Sequence, residues 1–185
     1  DPRVERNRRF LTDLYSGPFP GHAILMDPEV PATGLPGDVA CSELPVADWL
    51  EPTLRAYEAD VRVLEELDHD AVPVARISTG TELFAAAFGC DVHVYPDSPP
   101  AARPLVTTAA EADRLQTPSP YSGPLGRCFE LGKLLQERLG PDAAIGVPDI
   151  QSPFDIAALI WRKQEFYIAI LDEPEAVKRL VAKCT

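Results

Sequence analysis

The sequence predicts an α/β protein in which short buried strands alternate with amphipathic helices. Three apolar runs have the length of strands, at residues 22–28, 72–77 and 143–149. A fourth stretch, residues 91–96, alternates apolar and polar side chains like a strand or a hairpin arm. Strands that alternate with helices are usually parallel and joined by right-handed crossovers. Both a doubly wound sheet and part of a (β/α)8 barrel satisfy this pattern.

Helical periodicity marks eight segments of the chain. In the longest, residues 48–70, an apolar side chain recurs every three or four residues, and Pro52 fits the first turn. Gly17 and Gly89 are typical residues for ending two of the others. In chain order, the eight predicted helices cover residues 4–17, 48–70, 81–89, 107–115, 126–141, 152–160, 165–171 and 173–185. Residues 28–47 are rich in Pro and Gly and contain no clear element.

Two of these helices begin with recognisable capping residues. Thr107 or Thr108 precedes Glu111 at the spacing of a capping box, in which each residue binds a backbone N–H near the other. Ser152 is a good N-cap, and Pro153 fits the first helical position that follows it. These caps fix the starts of the helices at 107–115 and 152–160.

Composition excludes several classes of protein. The chain has 185 residues, 45% of them hydrophobic, which is enough for one domain with a substantial core. It carries 29 acidic and 17 basic residues, for a net charge of −12, so we expect no nucleic-acid partner. No apolar run is long enough to span a bilayer. The four cysteines are scattered, which indicates a reduced, cytoplasmic protein.

Cysteine and histidine spacing gives one weak metal signal. Cys90 and His93 form a C-x-x-H pair. Zinc sites use three or four protein ligands, so two residues are too few. We therefore predict no metal site in this pair.

Polar residues gather where the predicted strands end, which is where parallel α/β proteins place their ligand sites. Gly80 and Glu82 also have structural explanations, a tight turn and the first turn of a helix. Arg76 lies within a predicted strand, and we slightly favour an ion pair with Asp149 or Glu82 over a role in anion binding. The candidate substrate-binding residues are Asp27, Arg76, Gly80, Thr81, Glu82, Asp149 and Gln151.

Several longer motifs resemble the uroporphyrinogen decarboxylase superfamily, which includes corrinoid-dependent methyltransferases. They are "GTELFAAAFGC", "GPLGRCFELGKLLQERLG", and "SPFDIAALI" followed by "LDEPEAVKRL". The resemblance implies a (β/α)8 barrel of the TIM-barrel type. It covers only the first half of such a barrel, so residues 1–185 are expected to form an N-terminal half-domain. The sequence begins with Asp1 and ends at Thr185, within or just after a predicted helix. We therefore expect a longer parent chain or a self-associating half.

The resemblance also shapes the expected function. The decarboxylase has an Arg-rich motif after its first strand, whereas this chain has "ILMDPEVPATG" with Asp27 and Glu29. The family's aspartate and tyrosine are also missing, at "STGTE" and near Leu159. We therefore expect no uroporphyrinogen decarboxylation.

Two hypotheses follow for the activity. The first is a corrinoid-linked enzyme of the methyltransferase type that acts on a small substrate, with a corrinoid protein as a possible partner. The second is a non-catalytic module that binds a tetrapyrrole or a corrinoid. The resemblance makes zinc or a corrinoid the candidate cofactor, with the metal ligands expected outside these residues.

Overall fold

The computed structural model describes residues 1–18, 21–26, 45–95 and 98–185. In chain order its elements are α1 (Pro2–Ser16), α2 (Val46–Glu66), β1 (Val74–Ala75), α3 (Leu83–Ala87), β2 (Val92–His93), β3 (Ala101–Ala102), α4 (Ala109–Arg114), α5 (Gly123–Leu139), β4 (Ala144–Ile145), α6 (Pro153–Ile160), α7 (Lys163–Asp172) and α8 (Pro174–Lys183). All eight predicted helices are confirmed, with ends that differ by a few residues. None of the helices in these ranges has the length and apolar character needed to cross a membrane.

The strands form two small sheets. β1 and β4 are parallel neighbours, with Val74 opposite Ala144 and Ala75 opposite Ile145. β2 pairs with β3 in an antiparallel hairpin. The hairpin arm at 91–96 is therefore confirmed in part, whereas β3 was not predicted because two alanines carry no strand pattern.

The predicted first strand is wrong for residues 22–26, which form no strand. Ile24 is nevertheless hydrogen-bonded to Asp70, four residues before β1. The Ile24 carbonyl oxygen accepts from Asp70 N at 2.8 Å, and the Ile24 N–H donates to Asp70 Oδ2 at 2.9 Å. The Asp70 side chain therefore replaces a backbone partner, and a regular ladder does not develop. Asp27 lies outside the described residues.

One apolar core lies between β1 and the helices α2 and α5. Trp49 and Leu54 of α2 meet Ala75 of β1, and Leu131 and Leu135 of α5 close the cluster. All five side chains are buried. The amphipathic face predicted for the long second helix is thus the face that covers the sheet.

A second core joins the C-terminal helices. Trp161 and Phe166 are its largest members, and both are almost completely buried, as is Leu180 of α8. α8 also binds α4 through polar contacts: Arg179 forms two hydrogen bonds of 2.8 Å with the Asp113 carboxylate. Lys183 donates to the carbonyl oxygens of Ala112 and Asp113 at the end of α4. A positive charge there stabilises the C-terminus of the short helix.

Capping at the start of α4 agrees with the sequence. Thr108 is the N-cap, and its hydroxyl oxygen accepts from Glu111 N at 3.3 Å. The Glu111 carboxylate accepts from the N–H groups of Thr107 and Thr108 and from the Thr107 hydroxyl. These hydrogen bonds favour the ionised carboxylate and lower the pKa of Glu111 below its usual value.

The lowered pKa of Glu111 predicts an acid-sensitive contribution to stability. A carboxylate whose pKa falls on folding stabilises the protein above its unfolded pKa of about 4.5, and that contribution disappears as the pH drops below this value. We expect Glu111→Gln to lower the urea midpoint at pH 7 and to reduce its decline between pH 5 and 3.

Glu130→Gln is the matched control, because Glu130 is exposed on α5. Its urea midpoint should follow that of the parent protein at every pH. An equal acid dependence in Glu111→Gln and the parent would contradict the capping role.

Candidate functional site

The carboxyl ends of β1 and β4 lie side by side and bring two polar turns together. Beyond the strand pairing, Gly146 N donates to Ala75 O at 2.9 Å. Farther along, Asp149 N donates to the Thr79 hydroxyl oxygen at 3.2 Å, a bond between residues 70 positions apart. The turn after β1 and the turn after β4 therefore meet at one edge of the sheet, where a parallel α/β fold places its ligand site.

Gly146 allows this close approach. A Cβ added to Gly146 would lie 3.1 Å from Val74 Cγ1 and 3.3 Å from Arg76 Cα. Contacts this short would require Val74 or the Arg76 backbone to move by a few tenths of an ångström. Gly146 thus permits a close approach of β4 to β1 where the second turn begins.

The turn after β1 is built around Gly80 and Glu82. Glu82 has 0% of its surface exposed, and its side chain folds back over the Gly80 backbone. A Cβ at Gly80 would collide with the Glu82 carboxylate. The structure therefore supports the tight-turn explanation for Gly80, and direct contact between Glu82 and a ligand would require the turn to open.

Arg76 lies on the face of β1 opposite the helices. Ala75 and Ile77 point into the core with α2 and α5, so the alternation of a strand directs Val74 and Arg76 the other way. Arg76 is exposed, and no ion pair connects it to Asp149 or Glu82, all three being described residues. The preferred pairing was therefore wrong, because the strand was taken to be buried on both faces.

The remaining predicted site residues differ in exposure. Thr81 and Asp149 are exposed, and Gln151 is half-buried. Ser152 caps α6, and Asp155 N donates to its hydroxyl oxygen at 3.1 Å. The second turn therefore ends in a rigid helix start directly beyond Gln151. The ligand-binding roles of these residues stay predictions.

Thr79 joins the two turns but was not among the candidate substrate-binding residues. Its hydroxyl oxygen forms a hydrogen bond between the two turns. A hydroxyl directly before a glycine at the end of a buried strand was the available signal.

Two depressions lie beside the pair of strands β1 and β4, and neither is lined by Thr79 or Asp149. Arg76 lines a cavity of about 370 Å³ together with His69, Val74 and the exposed side chains of Leu25 and Met26. An apolar groove of about 540 Å³ runs along α5 and β4. Volumes of this size suit small molecules.

In the part of the chain that the structure describes, no cluster of three or more His, Cys, Asp or Glu side chains could hold a metal ion such as zinc. Burial raises the pKa of the Cys90 thiol to about 11, which disfavours the thiolate that zinc binds. His93 Nδ1 lies 2.9 Å from Arg103 Nη2. Within the described residues, the C-x-x-H pair thus lacks a third ligand.

The packing at Gly80 predicts a specific coupling between two positions. Gly80→Ala should destabilise the protein by about 1–3 kcal/mol, since overpacking a buried turn forces its neighbours to move. Glu82→Ala removes the carboxylate that the new Cβ would meet. In urea denaturation, the double variant should therefore lose less stability than the sum of the two single variants.

Gly17→Ala serves as the control, because a Cβ at Gly17 has no atom within 4 Å. Additive effects of Gly80→Ala and Glu82→Ala would show that the two residues do not pack as described.

Comparisons with known proteins agree with this architecture. The family model "Uroporphyrinogen decarboxylase (URO-D)" matches residues 50–185. Among solved structures, the chain is similar to a methyltransferase from Methanosarcina mazei, with 15% sequence identity and a TM-score of 0.58. The alignment covers 96% of this chain and 51% of the archaeal protein, so the chain spans about half the length of that relative. At this identity the likeness shows a shared fold. No curated protein sequence matches.

The family match extends over well over half of the chain. It includes β1, α3, the β2–β3 hairpin, both polar turns and all the C-terminal helices. The mixed α/β architecture, with parallel strands whose carboxyl ends meet, is consistent with the TIM-barrel type of fold. The chain belongs to the uroporphyrinogen decarboxylase family.

Proposed function

We propose that residues 1–185 form the first half of a (β/α)8 barrel whose function is of the methyltransferase type. The described site would hold a small substrate at the carboxyl ends of β1 and β4. The reaction would be linked to a corrinoid carried by a partner protein. The observation that carries the proposal is the Thr79–Asp149 hydrogen bond, which assembles two strand-end turns into one polar surface.

Exposed apolar side chains support the half-barrel. Leu25 is 59% exposed, Val147 71% and Ile150 64%. In a complete barrel, the inner faces of parallel strands are covered by the strands opposite. The archaeal relative has about twice the aligned length, so its second half offers the kind of cover that these side chains need.

The charges at the site argue against decarboxylation of uroporphyrinogen. Arg76 is the one Lys or Arg in residues 74–82 and 144–151, and the second of these segments carries the exposed carboxylate of Asp149. A substrate with many carboxylates would be repelled by Asp149 and by the net charge of −12. A small substrate with little net charge suits this site better.

The size of the cavities supports a corrinoid that is carried by a separate protein. The cavities next to β1 and β4, of about 370 and 540 Å³, are sized for small molecules, and a corrinoid is much larger. A corrinoid supplies the chemistry of methyl-group transfer when bound. This chain's own residues would bind and orient the substrate, with Arg76, Thr79 and Asp149 as the polar contacts.

Methyl transfer can be tested with the full-length polypeptide that contains this chain. We expect the absorption spectrum of an added reduced corrinoid to change when a panel of small N-, O- and S-methylated compounds is supplied. Asp149→Asn should slow that change by about tenfold or more, because a positioning contact is lost. Asp13→Asn on the exposed face of α1 is the control and should leave the rate unchanged.

The same protein should not convert uroporphyrinogen to coproporphyrinogen in a chromatographic assay. Formation of coproporphyrinogen would overturn the proposal. Binding of a corrinoid without any methyl transfer would replace it with the non-catalytic binding module.

Association of residues 1–185 tests the half-barrel separately. The uncovered apolar side chains should drive self-association in light scattering, and an added second half of the barrel should suppress it. Val147→Asp should weaken the association, whereas Leu171→Asp on the far surface of α7 should not. A soluble monomer with a cooperative thermal transition would contradict the half-barrel.

A further inference from the structure

Helix α7 carries apolar side chains on both of its faces. On the inner face, Phe166 and Ala169 are buried in the C-terminal core. On the outer face, Tyr167 is 57% exposed, Ile168 53% and Leu171 82%. These three side chains form one outer stripe, because residues three and four positions apart lie on the same side of a helix. A helix that is apolar all round is normally covered, and contiguous exposed apolar patches mark interaction sites.

A small cavity adjoins the outer stripe at the C-terminal end of α7. Ile168 belongs to both the stripe and the cavity wall, so one partner can contact the two together. The cavity has a volume of about 190 Å³, below the range of about 300–1,000 Å³ that is typical of small-molecule sites. A cavity of this size suits one side chain of a partner. Three of its lining residues are acidic: Glu165, Asp172 and Glu173.

The carboxylates of this cavity are only partly neutralised within the protein. Glu165 accepts a hydrogen bond from Arg162 Nε at 2.7 Å. Asp172 and Glu173 are exposed, and neither forms an ion pair with a described residue. Glu173 directly precedes α8, but its side chain forms no capping hydrogen bond there. Two carboxylates beside the outer stripe are therefore available to a cation.

The neighbouring cations of the protein do not take this place. Arg179 donates two hydrogen bonds to Asp113, and these raise its pKa more than the longer-range attraction of Glu173 does. Lys163 lies at the opposite end of α7, about 13 Å from Asp172 along the helix axis. The C-terminal end of the outer stripe is thus acidic, and a partner that covers it should be basic at that end.

We infer that the outer stripe and its cavity bind a basic, amphipathic segment of another protein. Apolar side chains of that segment cover Tyr167, Ile168 and Leu171, and a lysine or arginine enters the cavity beside Asp172 and Glu173. A second copy of this chain is a poorer match, because each copy has a net charge of −12. This surface shares no residue with the turns after β1 and β4, so the inference goes beyond the proposed function.

The test measures peptide binding to the full-length polypeptide by fluorescence anisotropy. The probe is a labelled helical peptide of leucine and lysine, with all its leucines on one face. Two matched peptides replace every lysine with glutamate or every leucine with glutamine. The leucine–lysine peptide should bind at least about tenfold more tightly than either, because each matched peptide lacks one of the two complementary features. Equal or tighter binding of a matched peptide, or no binding of the leucine–lysine peptide, would overturn the inference.

A substitution in the outer stripe tests its apolar contribution. Leu171→Ser should weaken binding of the leucine–lysine peptide about tenfold, because the partner no longer buries a leucine side chain. Tyr15→Ser is the matched control, since Tyr15 is 81% exposed on α1. It should bind the peptide like the parent. Equal affinities of Leu171→Ser and the parent, or an equal loss in Tyr15→Ser, would remove the stripe from the interface and overturn the inference.

Two double variants test the acidic cavity. Asp172→Asn combined with Glu173→Gln should weaken binding of the leucine–lysine peptide about tenfold and make it less sensitive to salt. Glu65→Gln combined with Glu66→Gln is the control, because it changes the net charge equally at two exposed positions of α2. The control should keep the affinity of the parent. Equal losses in the two double variants would show attraction to the net charge alone, and would overturn the role of the cavity.

Discussion

The parallel pairing of Val74–Ala75 with Ala144–Ile145 determines where the rest of the described site lies. Two residues per strand provide few backbone hydrogen bonds, so the pairing depends on the helices that cover one face. α2 and α5 supply that cover through Trp49, Leu131 and Leu135. Once the strands are held together, their carboxyl ends place residues that are 70 positions apart within hydrogen-bond distance.

α3 connects this pairing to the C-terminal helices. Phe84 packs against both apolar cores, while the buried Glu82 and Gly80 form the turn directly before it. The turn is therefore held from two sides, by the sheet before it and by a helix anchored in both cores after it. Such a scaffold can hold a polar surface in one arrangement. A ligand bound by few contacts needs this, because it gains too little free energy to order the surface itself.

Helices were easier to predict from this sequence than strands for a physical reason. Apolar periodicity and the caps Thr108 and Ser152 are local signals, and the structure confirms the helices that they mark. β3 consists of two alanines whose pairing depends on the hairpin partner, so no local signal was present. At 22–26 the apolar pattern of a strand was present, but Asp70 occupies a backbone partner's place.

The site shows the same division between local and long-range information. Strand ends rich in polar residues indicated that the turns after β1 and β4 would meet, because their position follows from topology, and ligand binding there stays a prediction. The partner of Arg76 was predicted wrongly, since the exposed face of β1 depends on which face the helices cover. Thr79 was missed because its role exists only through contact with Asp149, which lies on a distant turn.

The exposed apolar residues beside the site also determine how strongly its charges act. Val147 and Ile150 flank Asp149 along the chain, and both are more than half exposed. Any segment that covers them also removes water from around the Asp149 carboxylate. The attraction between unit charges 4 Å apart rises from about 1 kcal/mol in water to about 4 kcal/mol at an effective dielectric constant of 20. At the proposed site, a segment that covered this apolar surface would therefore also strengthen the attraction between the Asp149 carboxylate and a cation.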